Sequence, residues 1–178
     1  MTKTIRVLAL TLALMLLAAT PAMAFGADRL KGELDGATVG FDPDPVAVAE
    51  RCPDGFQWIL MSAGVVHVDT LVYSGEMAMT SEHCSRWVTP PAARARGAVG
   101  AGIMVLTTPG GDELTLAYEG AFTFRGDTEV AWISKIKGTW EVVDGSGLFT
   151  GAGGAGSLHF RDETRKSLAE YSFLRGER

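Results

Sequence analysis

The sequence predicts an all-β protein, one antiparallel barrel or sandwich of about six to eight strands. Three observations carry that reading. Apolar residues recur at every second position over long stretches, the period of a half-buried strand rather than a helix. Clusters of Gly, Asp and Pro separate those stretches, and the chain holds 22 Gly. At 178 residues the chain is long enough for one domain with a real core. A content of 47% apolar and 21% charged residues excludes a disordered chain, and a net charge of -5 argues against a nucleic-acid partner.

The first 24 residues stand apart from this pattern. Lys3 and Arg6 give a basic start, Val7 to Ala19 an apolar run, Pro21 a break, and Ala22-Met23-Ala24 the small residues a signal peptidase reads. Residues 1–24 are therefore expected to be a secretory signal peptide, and residues 25–178 a β-barrel domain in the periplasm or secreted. The apolar run is shorter than the ~20 residues that span a bilayer. No transmembrane segment is expected after signal removal.

Within the mature chain the strands follow in order. Residues 56–63, 65–71 and 73–80 are strand candidates, divided or bent at Gly64 and Gly75. The segments 42–45 and 88–96 read as loops. Residues 97–106 are apolar on both parities, which predicts a strand covered on both sides, as at a subunit interface. The clearest strand is 112–124: Leu114, Leu116, Tyr118, Phe122 and Phe124 fall on one face and Glu113, Thr115, Glu119 and Thr123 on the other. Gly120 interrupts the apolar face and suits a bend or bulge. Trp132, Ile136, Trp140 and Val142 share one parity in the next strand. A glycine-rich stretch follows, and residues 168–174 read as a strand that would remove an exposed sheet edge.

Cys52 and Cys84 fall in the exported part of the chain. They form no CxxC motif, so a redox or metal pair lacks its usual spacing, and a disulfide is the favoured reading. The run from Gly145 to Gly156 lacks the Lys-Ser/Thr of a phosphate loop and a following helix, which leaves tight turns and close strand approach. His67, His83 and His159 match no metal-ligand spacing, so no metal and no cofactor are expected. Adjacency sets His83 and Cys84 on opposite sides if both are extended. Catalytic residues remain unassigned, because no nucleophile motif is present. The ligand-binding candidates are Tyr118, Trp132 and Trp140 for apolar contact and His67, Glu76 and Glu119 for polar contact.

Three motifs, in this order, resemble bacterial exported proteins related to the allene oxide cyclase and dirigent barrels. They are Gly64-Val65-Val66-His67 with Cys84 after it, Gly111-Asp112-Glu113-Leu114 followed by Tyr118-Glu119-Gly120, and the run from Val142 to Gly154 with its Gly-Ser-Gly, Phe149 and Gly-Ala-Gly-Gly. They span residues 64–156. The resemblance implies a calycin-like barrel of about eight strands, commonly a homo-dimer or homo-trimer. It also implies a largely apolar cavity with a few polar groups, of the kind that guides cyclisation or radical coupling in the plant relatives. It supports fold more than activity. The expected function is binding of a small apolar or amphipathic molecule. An isomerase or cyclase acting on a small hydrophobic substrate is the alternative, and it requires His67, Glu76 or Glu119 to point into an apolar pocket. A structural or partner-binding role is the third reading, marked by an exposed apolar patch near residues 99–106.

Overall fold

A computed structural model describes residues 23–24, 31–89, 94–127, 131–165 and 172–176, with side chains over 38–89, 94–126 and 134–161. The expected signal peptide lies outside the described residues except for Met23–Ala24. The chain is mostly β. The strands are β1 (Met23–Ala24), β2 (Lys31–Asp42), β3 (Trp58–Asp69), β4 (Ser74–Trp87), β5 (Arg94–Thr107), β6 (Glu113–Asp127), β7 (Ala131–Gly145), β8 (Ala152–Gly153), β9 (Ala155–Arg165) and β10 (Ser172–Gly176). Strands β2-β3-β4-β5-β6-β7-β9 form an antiparallel sheet in that order. Strand β10 pairs with β9 from Ser172↔Thr164 to Gly176↔Phe160, and meets β2 at Leu174↔Gly36 and Arg175↔Asp35. The two-residue strands β1 and β8 pair in parallel.

Side-chain alternation sets which residues face the interior. On β3 the even positions from Trp58 to Val68 face inward, and on β4 the odd positions from Met77 to Trp87 do so. Gly64 and Gly75 divide neither strand. Strand β5 changes parity midway. Ala95 and Val99 are buried before the change, and Met104 and Leu106 after it. The ladder shifts between Val99 and Gly102 against β6, and Ala101 sits in the left-handed region at φ 48°. One extra residue there turns the following side chains over. This bulge accounts for the apolar residues on both parities of 97–106 that face inward, and Ile103 is 43% exposed on the outer face of the single chain. Gly120 lies opposite Val99 and Gly138, so the irregularity expected at Gly120 belongs to its partner strand.

A helix, α1 (Pro45–Arg51), replaces part of the expected 42–45 loop. Asp44 caps it by accepting from the Val46 N–H at 2.9 Å, and Pro45 opens the first turn, where its missing N–H costs nothing. The helix packs on β3 and buries Val48. Cys52 at its C-terminus is bonded to Cys84 of β4 as a disulfide. Arg51 pairs with Glu82, the Trp87 N–H donates to Gln57 Oε1 at 3.0 Å, and Arg86 lies 5.5 Å from the Phe56 ring centre. Segment 44–57 thus covers the outside of β3 and β4, where Ile59 and Cys84 are buried although they face away from the interior.

The glycine-rich run closes one end of the interior. A 3-10 turn at Gly147–Phe149 carries the fully buried Phe149 into a cluster with Val68, Met77, Leu106 and Leu114. Its ring lies edge-on to Tyr73 at 6.3 Å. The turn is tied to the β5–β6 hairpin: Ser146 N donates to the Glu113 carbonyl at 2.8 Å, and Glu113 N donates to Ser146 Oγ at 3.0 Å.

Candidate functional site

Toward the opposite ends of the same strands the interior is hollow. A cavity of about 300 Å³ lies there. Its floor is Met79 and Met104, and its rim is a collar of aromatic rings. Trp58 and Trp87 stand 5.4 Å apart, Trp87 meets Phe122 at 5.1 Å and Phe124 at 5.8 Å, and Phe41 meets Trp58 at 6.3 Å. Several of these contacts are edge-on, the arrangement ring quadrupoles favour. Between floor and collar the wall carries Ser62, Ser81 and His83 with Tyr118, and Ser85 and Ser134 lie level with the collar, opposite Trp58 and Phe124. No Asp, Glu, Lys or Arg lines the cavity among the described residues.

His83 and Tyr118 form its polar centre. The His83 Nδ1 lies 2.8 Å from the Tyr118 hydroxyl, with both side chains buried. They come from β4 and β6, which flank β5 on either side. The phenol ring reaches across because Gly102 stands between them with no side chain. A Cβ at Gly102 would lie 2.7 Å from the Tyr118 ring and from its carbonyl oxygen. The parity change of β5 places that glycine there, beside the strained Ala101. Bulges and sparsely populated backbone angles concentrate at sites where a side chain must be aimed. Phe122 likewise lies across Gly97.

Burial sets the ionisation of the pair. Desolvation lowers the His83 pKa from 6.5 to about 4, so the ring is neutral at neutral pH. Desolvation also raises the Tyr118 phenol well above its ordinary value; a hydrogen bond from Ser81 opposes that shift and the charge of Glu82 adds to it. The cavity therefore presents an uncharged donor-acceptor pair within an apolar wall. Such a pair can hold a polar group of a ligand or steady a developing charge, and it can do little acid-base work through the imidazole near pH 7.

The candidates chosen from sequence divide sharply. Tyr118 lines the cavity. Trp140 is buried at 7% exposure, lies outside the cavity wall, and donates Nε1–H to the Ser157 carbonyl at 3.1 Å. His67, Glu76 and Glu119 are exposed on the outer parity, because each is one residue out of step with an inward neighbour (Val66 or Val68, Met77, Tyr118). The Trp132 side chain lies outside the described residues. Spacing in the sequence bears on His83 only as a metal ligand, and gives it no partners. Its true position follows from alternation: Cys84 turns outward to Cys52, so His83 turns inward. Among the described residues no cluster suited to a metal ion is present, and no helix is long and apolar enough to cross a membrane.

Compared with protein-family models, curated proteins and solved structures, the chain matches none.

Proposed function

We propose that the protein is an exported, calycin-like barrel that holds a small apolar or amphipathic molecule in the cavity between the aromatic collar and Met79. The observation that carries this reading is the cavity itself, about 300 Å³ of unfilled space walled by rings and closed below by a packed core. Interiors are normally filled to crystal-like density, so an apolar hollow with a few convergent polar groups is the ordinary form of a ligand site. The pairing of β10 with both β9 and β2 supports closure of the sheet. The Cys52–Cys84 bond and the N-terminal signal pattern support export. The order of motifs over residues 64–156 supports kinship with the allene oxide cyclase and dirigent barrels, whose homo-oligomeric assembly is proposed here on that resemblance alone.

The test is titration with an apolar fluorescent dye, in the parent protein and in Ser85→Trp, which puts an indole into the hollow. The expected result is saturable, one-to-one binding that Ser85→Trp abolishes. Equal binding by a folded Ser85→Trp protein overturns the reading. For a cyclase or isomerase the exposed His67, Glu76 and Glu119 give no support. What favours that second reading is the buried His83–Tyr118 pair, a polar couple that could steady developing charge in a dry site. It predicts that Tyr118→Phe abolishes turnover while leaving dye binding in place.

A further inference from the structure

We infer that the occupant is an uncharged carbonyl compound that enters carbonyl first, with its oxygen on the His83 Nε2–H and its apolar body in the aromatic collar. The inference rests on the proposal that the cavity binds a ligand.

Three observations lead to it. The first is the direction of the buried hydrogen bonds. The Tyr118 hydroxyl lies between an imidazole nitrogen at 2.8 Å and the Ser81 hydroxyl. The sp² nitrogen of a neutral imidazole is a stronger acceptor than a phenol oxygen, so the phenol donates to Nδ1. In that arrangement the ring proton sits on Nε2. Among the described residues, Nε2 has no hydrogen-bond partner. His83 is only 5% exposed and lines the cavity, and its Nε2, which is not among the buried atoms lacking a partner, opens onto the hollow where an acceptor can reach it. In an apolar hollow a ligand oxygen that accepts from this nitrogen gains about one net hydrogen bond.

The second observation is the absence of charge. No cationic or anionic side chain lines the cavity among the described residues. A carboxylate head would lose its hydration with no lysine or arginine to receive it. A ketone, ester, lactone or amide accepts the Nε2–H without that loss.

The third is the order of the wall along the strands. On β4 the inward residues run Met79, Ser81, His83, Ser85, Trp87, from floor to collar. The donor lies below the rings, so the acceptor must travel inward first while the apolar body stays between Trp58, Trp87, Phe122 and Phe124. At interior packing density the hollow takes on the order of a dozen non-hydrogen atoms.

The experiment compares methyl nonyl ketone, undecanoate and undecane as competitors of the bound dye at neutral pH, with nitrogen NMR of the His83 ring. The ketone is expected to bind about tenfold more tightly than undecane, the factor one satisfied hydrogen bond supplies. Undecanoate is expected to bind more weakly than the ketone, and only the ketone should shift the Nε2 resonance while leaving the ring neutral. Equal affinity for ketone and undecane overturns the inference and leaves the binding proposal standing. Tightest binding by undecanoate, with uptake of a proton, also overturns it, because His83 then serves as a cation. Failure of the dye and all three competitors to bind overturns the binding proposal itself.

Discussion

Strand β4 contains both halves of the molecule. Its inward positions Met77 and Met79 are buried in a solid core with Val68, Leu106, Leu114 and Phe149. Its next inward positions, Ser81, His83 and Ser85, border empty space. The strand and its own parity do not change between the two regions, although its neighbour β5 is bulged beside the hollow; the bulk and polarity of the inward side chain do change. Alternation is therefore enough to build the sheet, while the size of the inward residues decides whether the interior is core or cavity. The packed end anchors the fold with a turn tied to two strands. The hollow end is held open by serines, glycines and one bulge.

The sharpest way to break this comparison is to hollow out the packed end. Phe149→Ala removes a fully buried ring from the glycine-rich turn. It is expected to cost roughly 3–5 kcal/mol in urea unfolding. A loss under about 1 kcal/mol would mean that the turn is an ornament and that the strands alone close that end.

The disulfide ranks next. Replacing both Cys52 and Cys84 by Ser releases a loop closed over a separation of 32 residues. Chain entropy puts the loss at roughly 3–4 kcal/mol. The bond lies on the outer face directly behind His83. The expected outcome is a lower midpoint of unfolding with dye binding retained under native conditions. Loss of dye binding before unfolding would show that segment 44–57 holds the cavity wall in place.

The hollow end should make stability depend on pH. His83 has a pKa of about 4 in the folded protein and 6.5 when free of burial. Between those values the unfolded chain holds more protons than the native one, so stability rises with pH. Stability from this group is complete above about pH 6.5 and is lost as pH falls toward about 4. The size is on the order of 3 kcal/mol. The group facing the ring is the Tyr118 hydroxyl; the neighbouring Glu82 turns outward to Arg51. His83→Gln should flatten the unfolding midpoint across this window.

What the sequence revealed follows the same division. The packed strands were legible because their inward faces are apolar, as in Leu114, Leu116, Tyr118 and Phe122. Residues 81–86 of β4 were not, since Ser-Glu-His-Cys-Ser-Arg shows no apolar period. That polar inward face is what makes the cavity wall, and local rules fail most often where a site is built. Helix α1 was signalled by Asp44 before Pro45, a cap and first-turn pair that reads as a turn when proline is weighed alone. Strand β2 was passed over, because Lys31–Asp42 mixes glycines and charges with few apolar residues. The exposed His67, Glu76 and Glu119 are polar amid apolar neighbours. In a strand that pattern marks the outer face, and only counting parity from Cys84 would have led to His83.

Tyr118→Phe probes the polar centre with a smaller effect. The ring stays over Gly102, and only the hydroxyl is lost. His83 Nδ1 is then buried without a donor, which costs about 1–2 kcal/mol. A loss near zero would mean that water replaces the hydroxyl and that the pair is not a built feature of the wall.

Phe41→Ala should have the smallest effect on stability and so sharpens the contrast with Phe149→Ala. Phe41 lines the cavity at its rim and is 59% exposed, against full burial for Phe149. Little apolar area is lost on truncation, so the expected cost is below about 1 kcal/mol. The ring nevertheless belongs to the collar through Trp58. Removing it should weaken dye binding a few-fold with almost no change in the urea midpoint. That dissociation of binding from stability is what separates a rim from a core. If Phe41→Ala instead destabilises the fold as much as Phe149→Ala, the aromatic collar is a second core, and the division between a packed and a hollow end fails.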